Sequence, residues 1–256
     1  MLSALRGALG FLSRLPVGGG EDAWAAFAAS PAAFPLAGYV VGGLVALPFL
    51  ATGAVPGPVV AAAYLVAVVA VTGVNHADGL ADLGDAAAVH GTPAERREVM
   101  RDTTVGVGAV LALSTGLVAL AFGALAATTL PVAVAVAAVL ASEVGAKLAM
   151  AVLACLGSPS HEGFGATLIE GARPSDLLAP VAVALPIAIA VPVTAVALAA
   201  AVAVALGVGR WAERRLGGVG GDVFGATNEL ARVAAIHGAV AAWHLLAWGG
   251  PVWTRW

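Results

Sequence analysis

Charge is scarce in this sequence. Only 12 of its 256 residues are Lys or Arg and 15 are Asp or Glu, whereas 61% are hydrophobic. So few polar side chains cannot coat the surface of a soluble globule of this size, which excludes that class. Long runs of Ala, Val and Leu without a periodic polar face are typical of helices embedded in lipid. We predict an all-α, polytopic helical membrane bundle, organised as a single membrane-embedded domain over residues 1–256.

Two further shortages narrow the range of functions. Cys155 is the only cysteine, which excludes a disulfide framework, and no metal-ligating side chain accompanies it in its apolar run. The net charge of −3 leaves no basic surplus for nucleic acid. We therefore expect no nucleic-acid partner, and we expect the lipid bilayer to surround most of the chain.

The N-terminus lacks the small-residue cleavage pattern of a secretory signal. Residues 1–18 instead place four leucines at helical spacing beside Arg6 and Arg14. This pattern predicts a helix that lies in the membrane interface.

Apolar runs predict the membrane spans. A hydrocarbon core of about 30 Å requires roughly 20 residues of helix. Runs that approach or exceed this length cover residues 32–52, 58–74, 105–127, 131–155, 177–208 and 230–248. The run over residues 177–208 is too long for one ordinary helix and contains Pro186 and Pro192. It therefore forms either one kinked, tilted span or a hairpin of two.

The distribution of charge favours the hairpin. If the chain turns at residues 191–193, the segments 17–30, 76–104, 157–176 and 210–229 share one face. That face then holds nearly every charge, and Arg255 is the only arginine left on the other side. The positive-inside rule makes the charged face cytoplasmic. We predict seven transmembrane helices plus the interfacial helix, in the cell membrane, with the polar loops in the cytoplasm.

Acidic residues are concentrated in the sequence TGVNHADGLADLGDAAAVHG, residues 72–91. Asp78, Asp82 and Asp85 are spaced by four and three residues, so on a helix all three carboxylates project from one side. No Lys or Arg occurs between Arg14 and Arg96 to neutralise them. Because three like charges on one stripe repel, the pattern predicts a bound cation. A solvated acidic helix end is the structural alternative.

The chemistry of carboxylates indicates which cation to expect. Their hard oxygens favour Mg²⁺ or Mn²⁺, and Mg²⁺ typically combines one or two carboxylates with substrate phosphate oxygens. Such an ion stabilises the charge on a leaving phosphate. Small Gly and Ala residues surround the aspartates and leave room for a bulky phosphate ester.

Two other polar segments fall on the same predicted face. Within residues 210–230 a glycine-rich turn precedes Asp222, and its N–H groups could approach phosphate. A plain turn capped by Asp222 is the alternative. Asn228 and Glu229 follow at the start of the last span. In the segment before the third span, Arg101 is a candidate phosphate partner because a guanidinium matches phosphate geometry.

Five motifs occur in order along the chain. They are FLSRLP (residues 11–16), HADGLADLGD (76–85), MRDTTVG (100–106), HEGFG (161–165) and GGVGGDVFGATNEL (217–230). This order and spacing resemble the cobalamin synthases, the adenosylcobinamide-GDP ribazoletransferase family. The resemblance covers almost the whole chain.

The resemblance implies an integral membrane enzyme of the phosphotransferase class in the last steps of vitamin B12 assembly. Such an enzyme joins α-ribazole or its 5′-phosphate to adenosylcobinamide-GDP and releases GMP, with Mg²⁺. A second copy of the chain and other enzymes of cobalamin assembly are further candidate partners.

Carried onto this chain, the motifs predict three groups of site residues. The catalytic candidates are Asp78, Asp82, Asp85 and His76; the metal ligands are Asp78, Asp82, Asp85 and Asp222; and the substrate contacts are Arg14, Arg101, Asp102, Thr103, Gly163, Gly165, Gly221, Asp222, Asn228 and Glu229. His76 is a catalytic candidate because the ordinary pKa of histidine suits a general base, and a structural hydrogen-bonding group is the alternative for it.

The chain departs from the family pattern in two places. Relatives tend to have Ser-Arg where residues 142–147 read SEVGAK, and Arg is common at the position of Ser160. Lys147 follows Glu143 by one helical turn. Two interpretations stay open: a structural ion pair between these residues, or a substrate phosphate contact from Lys147.

Two other function classes fit the composition. A membrane phosphotransferase that acts on a CDP-alcohol in phospholipid synthesis would use a similar aspartate-rich helix, although the full motif of that family is absent. A cation or corrinoid transporter would need acids at mid-membrane depth on several helices, and only Glu143 is predicted there.

Overall fold

The computed structural model describes residues 1–247, and this part of the chain is helical without any strand. Trp248 and Arg255, which enter the predicted last span and the charge distribution, lie outside the described residues. The helices are α1 (Leu2–Leu12), α2 (Glu21–Ala28), α3 (Ala33–Val45), α4 (Gly57–Thr72), α5 (Asn75–Ala88), α6 (Pro93–Val99), α7 (Val107–Ala127), α8 (Val132–Leu156), α9 (Phe164–Glu170), α10 (Leu178–Ala190), α11 (Val193–Leu216) and α12 (Gly221–Ala247).

Several helices have the length and apolar composition to cross a membrane. Four segments qualify alone: Ala33–Ala51, Val107–Ala127, Val132–Leu156 and Val193–Leu216. Two bent pairs raise the number to as many as six, with bends of 97° between α4 and α5 and 92° between α9 and the segment Pro174–Ala190. The prediction of a polytopic helical membrane protein is confirmed. The count of seven spans stays a prediction, because α12 is not among these segments.

The long apolar run is divided where the sequence predicted a turn. Helix α10 ends at Ala190 and α11 begins at Val193. The Thr194 hydroxyl lies within hydrogen-bond distance of the carbonyls of Ile187 (2.7 Å) and Val191 (2.6 Å), so its single hydrogen links the first turn of α11 to the end of α10. The two helices also pack against each other, as a hairpin requires.

Helix α8 is the centre of the bundle. It packs against α3, α11 and α12, and most of its residues are buried. Gly38 and Gly42 of α3 lie against the backbone of α8 near Val144 and Leu140. Small residues spaced by four allow such close approach between helices in a membrane.

The N-terminal segment forms the predicted helix α1, which packs on α2 and α3 through Ala4, Ala8 and Leu12. Its position in the membrane interface stays a prediction.

Helix α5 is positioned differently from its neighbours. Helix α4 ends at Thr72, and Gly73 adopts a φ of 72°, a left-handed conformation that favours glycine. We interpret α4 as the spanning segment of this pair. Helix α5 turns away from the axis of α4 by 97°, and we interpret it as lying outside the spans.

Candidate active site

Glycines set the position of the acidic helix α5. A Cβ at Gly79 would lie 2.6 Å from the carbonyl oxygen of Asp222, and one at Gly84 would lie 2.6 Å from that of Gly108. Neither distance is compatible with a side chain, so the backbone of α5 touches the starts of both α12 and α7. This contact places the aspartate stripe at the junction of the three helices.

Asp85 is held at the N-terminus of α7. Its two carboxylate oxygens accept hydrogen bonds from the backbone N–H groups of Gly106 (2.8 Å) and Ala109 (2.9 Å). These N–H groups have no partner within their own helix, and a negative charge there is favourable. Asp85 therefore has a structural function in addition to its predicted catalytic and metal-binding roles.

Asp82 is the electrostatic centre of the cluster. Burial, followed by the negative charges of Asp222, Asp78 and Asp85, raises the pKa of its carboxyl from 3.8 to about 7. The helix start that carries Asp222 thus contributes a fourth acid to the stripe. A protein that assembles four carboxylates against their repulsion provides a strong site for positive charge.

The cluster suits a divalent cation by chemistry, although it is not a complete cage. Within residues 1–247, no three acidic, His or Cys side chains are close enough to hold a metal ion by themselves. Mg²⁺ commonly takes only one or two carboxylates from a protein and completes its shell with water and substrate phosphate. Asp78, Asp82 and Asp222 have donor atoms of the right type for such partial coordination.

The glycine-rich turn and the HEGFG segment form one unit. The Val219 N–H donates to the Ser158 carbonyl (2.7 Å), and the Ser160 N–H donates to the Val219 carbonyl (3.2 Å). Gly165 lies against the backbone of Gly220 and Gly221. Two predicted substrate contacts, Gly165 and Gly221, are therefore neighbours in space although 56 positions separate them in the sequence.

A small cavity of about 40 Å³ lies beside Asp222. Arg97 and Arg101 line it from the segment before α7, and Ser160 and His161 line it from the HEGFG segment. The Ser160 hydroxyl lies 2.8 Å from Nδ1 of His161. The predicted pair Arg101 and Asp222 is thus brought together.

Arg97, Ser160 and His161 were missed as members of this site. In the sequence, Arg97 belongs to the charged run of residues 95–98, which is typical of a solvent-exposed helix face. Arg97 in fact donates to the carbonyl of Leu216 at the end of α11, which ties this segment to the glycine-rich turn.

Other predicted substrate contacts lie at the exposed edge of the candidate site. Arg14 is exposed, and its aliphatic chain packs on Gly73 at the turn into α5. Asp102 and Thr103 are exposed, and hydrogen bonding by the side chain and then the backbone N–H of Thr104 lowers the pKa of the Asp102 carboxyl. Gly163 is exposed just before α9.

Comparison with known proteins decides the family. Residues 4–240 match the model of the cobalamin-5-phosphate synthase (CobS) family. The chain belongs to the CobS family. The adenosylcobinamide-GDP ribazoletransferase of Halorubrum lacusprofundi is 51% identical, over 95% of this chain and 98% of its own length. The protein of that name from Haloquadratum walsbyi is 45% identical over 96% and 100%. The one from Methanococcoides burtonii is 29% identical over 99% and 98%. No solved structure matches the chain.

Two predicted substrate contacts in this CobS chain are buried. The side chain of Lys147 has no exposed surface and its Nζ lies 2.5 Å from Glu143 Oε2, so the predicted ion pair is present. Asn228 is also fully buried. Substrate contacts from these two side chains stay predictions. Glu229, whose side chain is 17% exposed, pairs with Arg232.

The charge distribution predicts Arg232 on or beside the charged face, and in the structure its side chain is buried within the bundle. It is fully buried and donates to the carboxylates of both Glu143 and Glu229. Nothing in the local sequence indicates a partner 89 residues away. Arg96 was missed in a similar way: it is buried and donates to the carbonyls of Ala86 and Gly91, which closes the C-terminal end of α5.

Proposed function

We propose that this membrane protein joins α-ribazole, or its 5′-phosphate, to adenosylcobinamide-GDP and releases GMP in cobalamin biosynthesis. CobS family membership over residues 4–240 supports the activity, as does the shared name of its relatives. One observation carries the proposal at the site. The aspartate helix, the glycine-rich turn and the HEGFG segment are distant in sequence, yet they converge around Asp222.

The reaction is a displacement at phosphorus. A hydroxyl oxygen of the ribazole attacks the cobinamide-linked phosphorus and a new P–O bond forms. The P–O bond to GMP breaks, GMP leaves with the bonding electrons, and the hydroxyl proton passes to solvent. We expect Arg101 and Arg97 to bind the phosphates, because guanidinium groups form charge-assisted hydrogen bonds with them. The backbone N–H groups of the glycine-rich turn at the start of α12 offer further donors.

We propose Mg²⁺, or Mn²⁺ in its place, as the cofactor. Asp78, Asp82 and Asp222 would hold it, and Asp85 of α5 would support the site through its hydrogen bonds to the start of α7. When bound, the ion supplies positive charge opposite the pyrophosphate and the departing GMP. The pKa of Asp82, which is raised by burial and then by the charges of three neighbouring aspartates, supports this assignment.

We also propose the cell membrane as the location, with the site open to the cytoplasm. Arg97, Arg101, Arg210, Arg214 and Arg215 lie on the elements that surround the site, which supports this orientation. A second copy of the chain and other enzymes of cobalamin assembly remain proposed partners.

The CDP-alcohol alternative is not favoured by the family finding. An apolar cavity of about 630 Å³ does exist between α5, α7, α11 and α12. Leu83 and Ala87 line it from α5. At 100° per residue these positions lie opposite the aspartate stripe, so the cavity is separated from the proposed chemistry. Transport is not favoured either, since the mid-membrane acid Glu143 is paired with two cations.

The test is an assay of the purified protein in detergent with adenosylcobinamide-GDP and α-ribazole, with and without Mg²⁺. GMP and the corrinoid product are followed by chromatography, and the 5′-phosphate serves as a second acceptor. Metal-dependent formation of both products supports the proposal. Asp82→Asn should abolish turnover, whereas Glu98→Gln, an exposed carboxylate on α6, should retain it. If this protein forms neither product under conditions in which an active relative forms both, the proposal is refuted.

A further inference from the structure

A continuous series of buried polar side chains joins three helices. Lys147 and Glu143 of α8 pair with each other, and Glu143 accepts from Arg232 of α12. Arg232 also donates to Glu229. The series continues from Glu229 through Asn228 to His76, in the first turn of α5.

The hydrogen bonds at the end of this series fix the orientation of an amide. Asn228 Nδ2 lies 3.0 Å from Glu229 Oε1 and 3.2 Å from His76 Nδ1. A carboxylate paired with Arg232 can only accept hydrogen bonds, so the Asn228 group that faces it must be the amide nitrogen. The second hydrogen of that nitrogen is then available to His76.

This orientation selects one form of the imidazole ring. Since Asn228 donates to Nδ1, that nitrogen accepts, and in the neutral ring the proton is on Nε2. The backbone of His76 is also packed closely on α12, because a Cβ at Gly225 of α12 would lie only 3.2 Å from the His76 Cα. His76 is 6% exposed and has little room to turn.

His76 is next to the proposed chemistry. It precedes Asp78 by two residues in the same helical turn. At Gly79 the backbones of α5 and α12 are in direct contact. A change in the ring would therefore be transmitted to the backbone that carries the aspartates. None of this requires the buried groups to touch a substrate.

We propose that Asn228 and Arg232 are positioning residues, which act through Glu229 to hold His76 in its Nε2–H tautomer and to fix the first turn of α5. The proposal rests on the proposed transferase function for its effect on turnover. The tautomer itself does not depend on which reaction the protein catalyses.

The activity test replaces Asn228 with Leu, which keeps the Arg232–Glu229–Glu143 ion pairs. We expect kcat to fall about 10- to 100-fold, as for other residues that orient a functional side chain, with KM changed less than about 3-fold. The matched control is Thr227→Val, because Thr227 is the buried neighbour on α12 and its hydroxyl has no partner within residues 1–247. This control should keep the kcat of the original protein.

A double-variant comparison identifies the route of the effect. In a His76→Gln background, Asn228→Leu should reduce kcat by less than about 3-fold further, because both changes remove the same arrangement. If the two effects multiply in full, Asn228 acts independently of His76 and the proposal is overturned.

The tautomer is measured without any substrate. ¹⁵N spectra of histidine-labelled protein in detergent at neutral pH distinguish protonated from unprotonated ring nitrogens, and His76→Gln identifies the signals. We expect an unprotonated Nδ1 and a protonated Nε2 in the original chain, and a mixture of tautomers in Asn228→Leu. A protonated Nδ1 in the original chain overturns the proposal even if the variants fold poorly. The expected spectrum together with absent turnover would instead refute only the transferase function.

Discussion

The repulsion among the four aspartates predicts that a disabled variant is more stable than the original protein. Without metal, the folded state keeps a proton on Asp82 up to a pH of about 7, whereas an unfolded chain releases it near a pH of about 4. The folded state therefore loses stability relative to the unfolded state as the pH rises through this window. Asp82→Asn removes the charge, so it should raise the unfolding temperature above a pH of about 7 and change little near a pH of about 4.

The magnitude follows from the pKa of Asp82. A rise from 3.8 to about 7, at about 1.36 kcal/mol per pH unit, sets an upper bound of about 4 kcal/mol. The carboxyl is only partly buried, and solvent screens its neighbours, so we expect about 1–2 kcal/mol. For a chain of this size that corresponds to a rise of roughly 2–8 °C in the unfolding temperature.

The assay is thermal unfolding in detergent with a chelator, at two pH values on either side of the window. Glu98→Gln is the control for loss of a single carboxylate, and it should show no such gain. Adding Mg²⁺ should then stabilise the original protein more than Asp82→Asn. An Asp82→Asn protein that is less stable than the original above a pH of about 7 would refute the repulsion argument, because the acids would then be stabilising without a cation.

Three further predictions concern the supports of the site. Gly79→Ala should reduce both thermal stability and turnover because its Cβ meets the Asp222 backbone. Gly43→Ala, whose Cβ has nothing within 4 Å, should be neutral. If the two variants change the unfolding temperature and the rate of GMP release equally, this prediction is contradicted. Glu143→Leu should lower stability by about 3–5 kcal/mol, because it leaves the buried Lys147 without its partner and Arg232 with Glu229 alone. Lys147→Met added to it should recover part of the loss in unfolding assays, and a double variant no more stable than the single one would count against the network. Asp85→Asn should lower stability by about 0.5–2 kcal/mol through the loss of its charge at the start of α7, and unchanged unfolding would argue against the capping function.

The sequence predicted well those features that depend on local pattern. Spacings of four and three residues were enough to place the aspartates on one side of α5, and Pro192 with the surrounding charge pattern was enough to predict the break between α10 and α11. These features depend on helical periodicity and on the exclusion of charge from lipid, which act over a few residues.

Contacts between distant segments could not be predicted from the sequence. Lys147 was within reach of Glu143 at helical spacing, and that pair was one of the alternatives. The contacts of Asn228 with His76 and of Arg232 with Glu143 could not be predicted, since these partners lie on other helices and a short sequence window cannot show which helices adjoin. The backbone contact at Gly79 was invisible for the same reason.

The buried ion pairs bear on how the chain enters its membrane. Glu143 and Lys147 are one turn apart on α8, and Glu229 and Arg232 are three residues apart on α12. Each helix therefore contains its own neutralising partner. If α12 crosses the membrane as the sequence predicts, both α8 and α12 benefit, because a helix with an internal pair is easier to insert than one with a single charge. Neither helix needs the other for charge neutralisation during insertion. The bond between Glu143 and Arg232 can form afterwards, when the inserted helices associate, and it then selects α12 as the neighbour of α8.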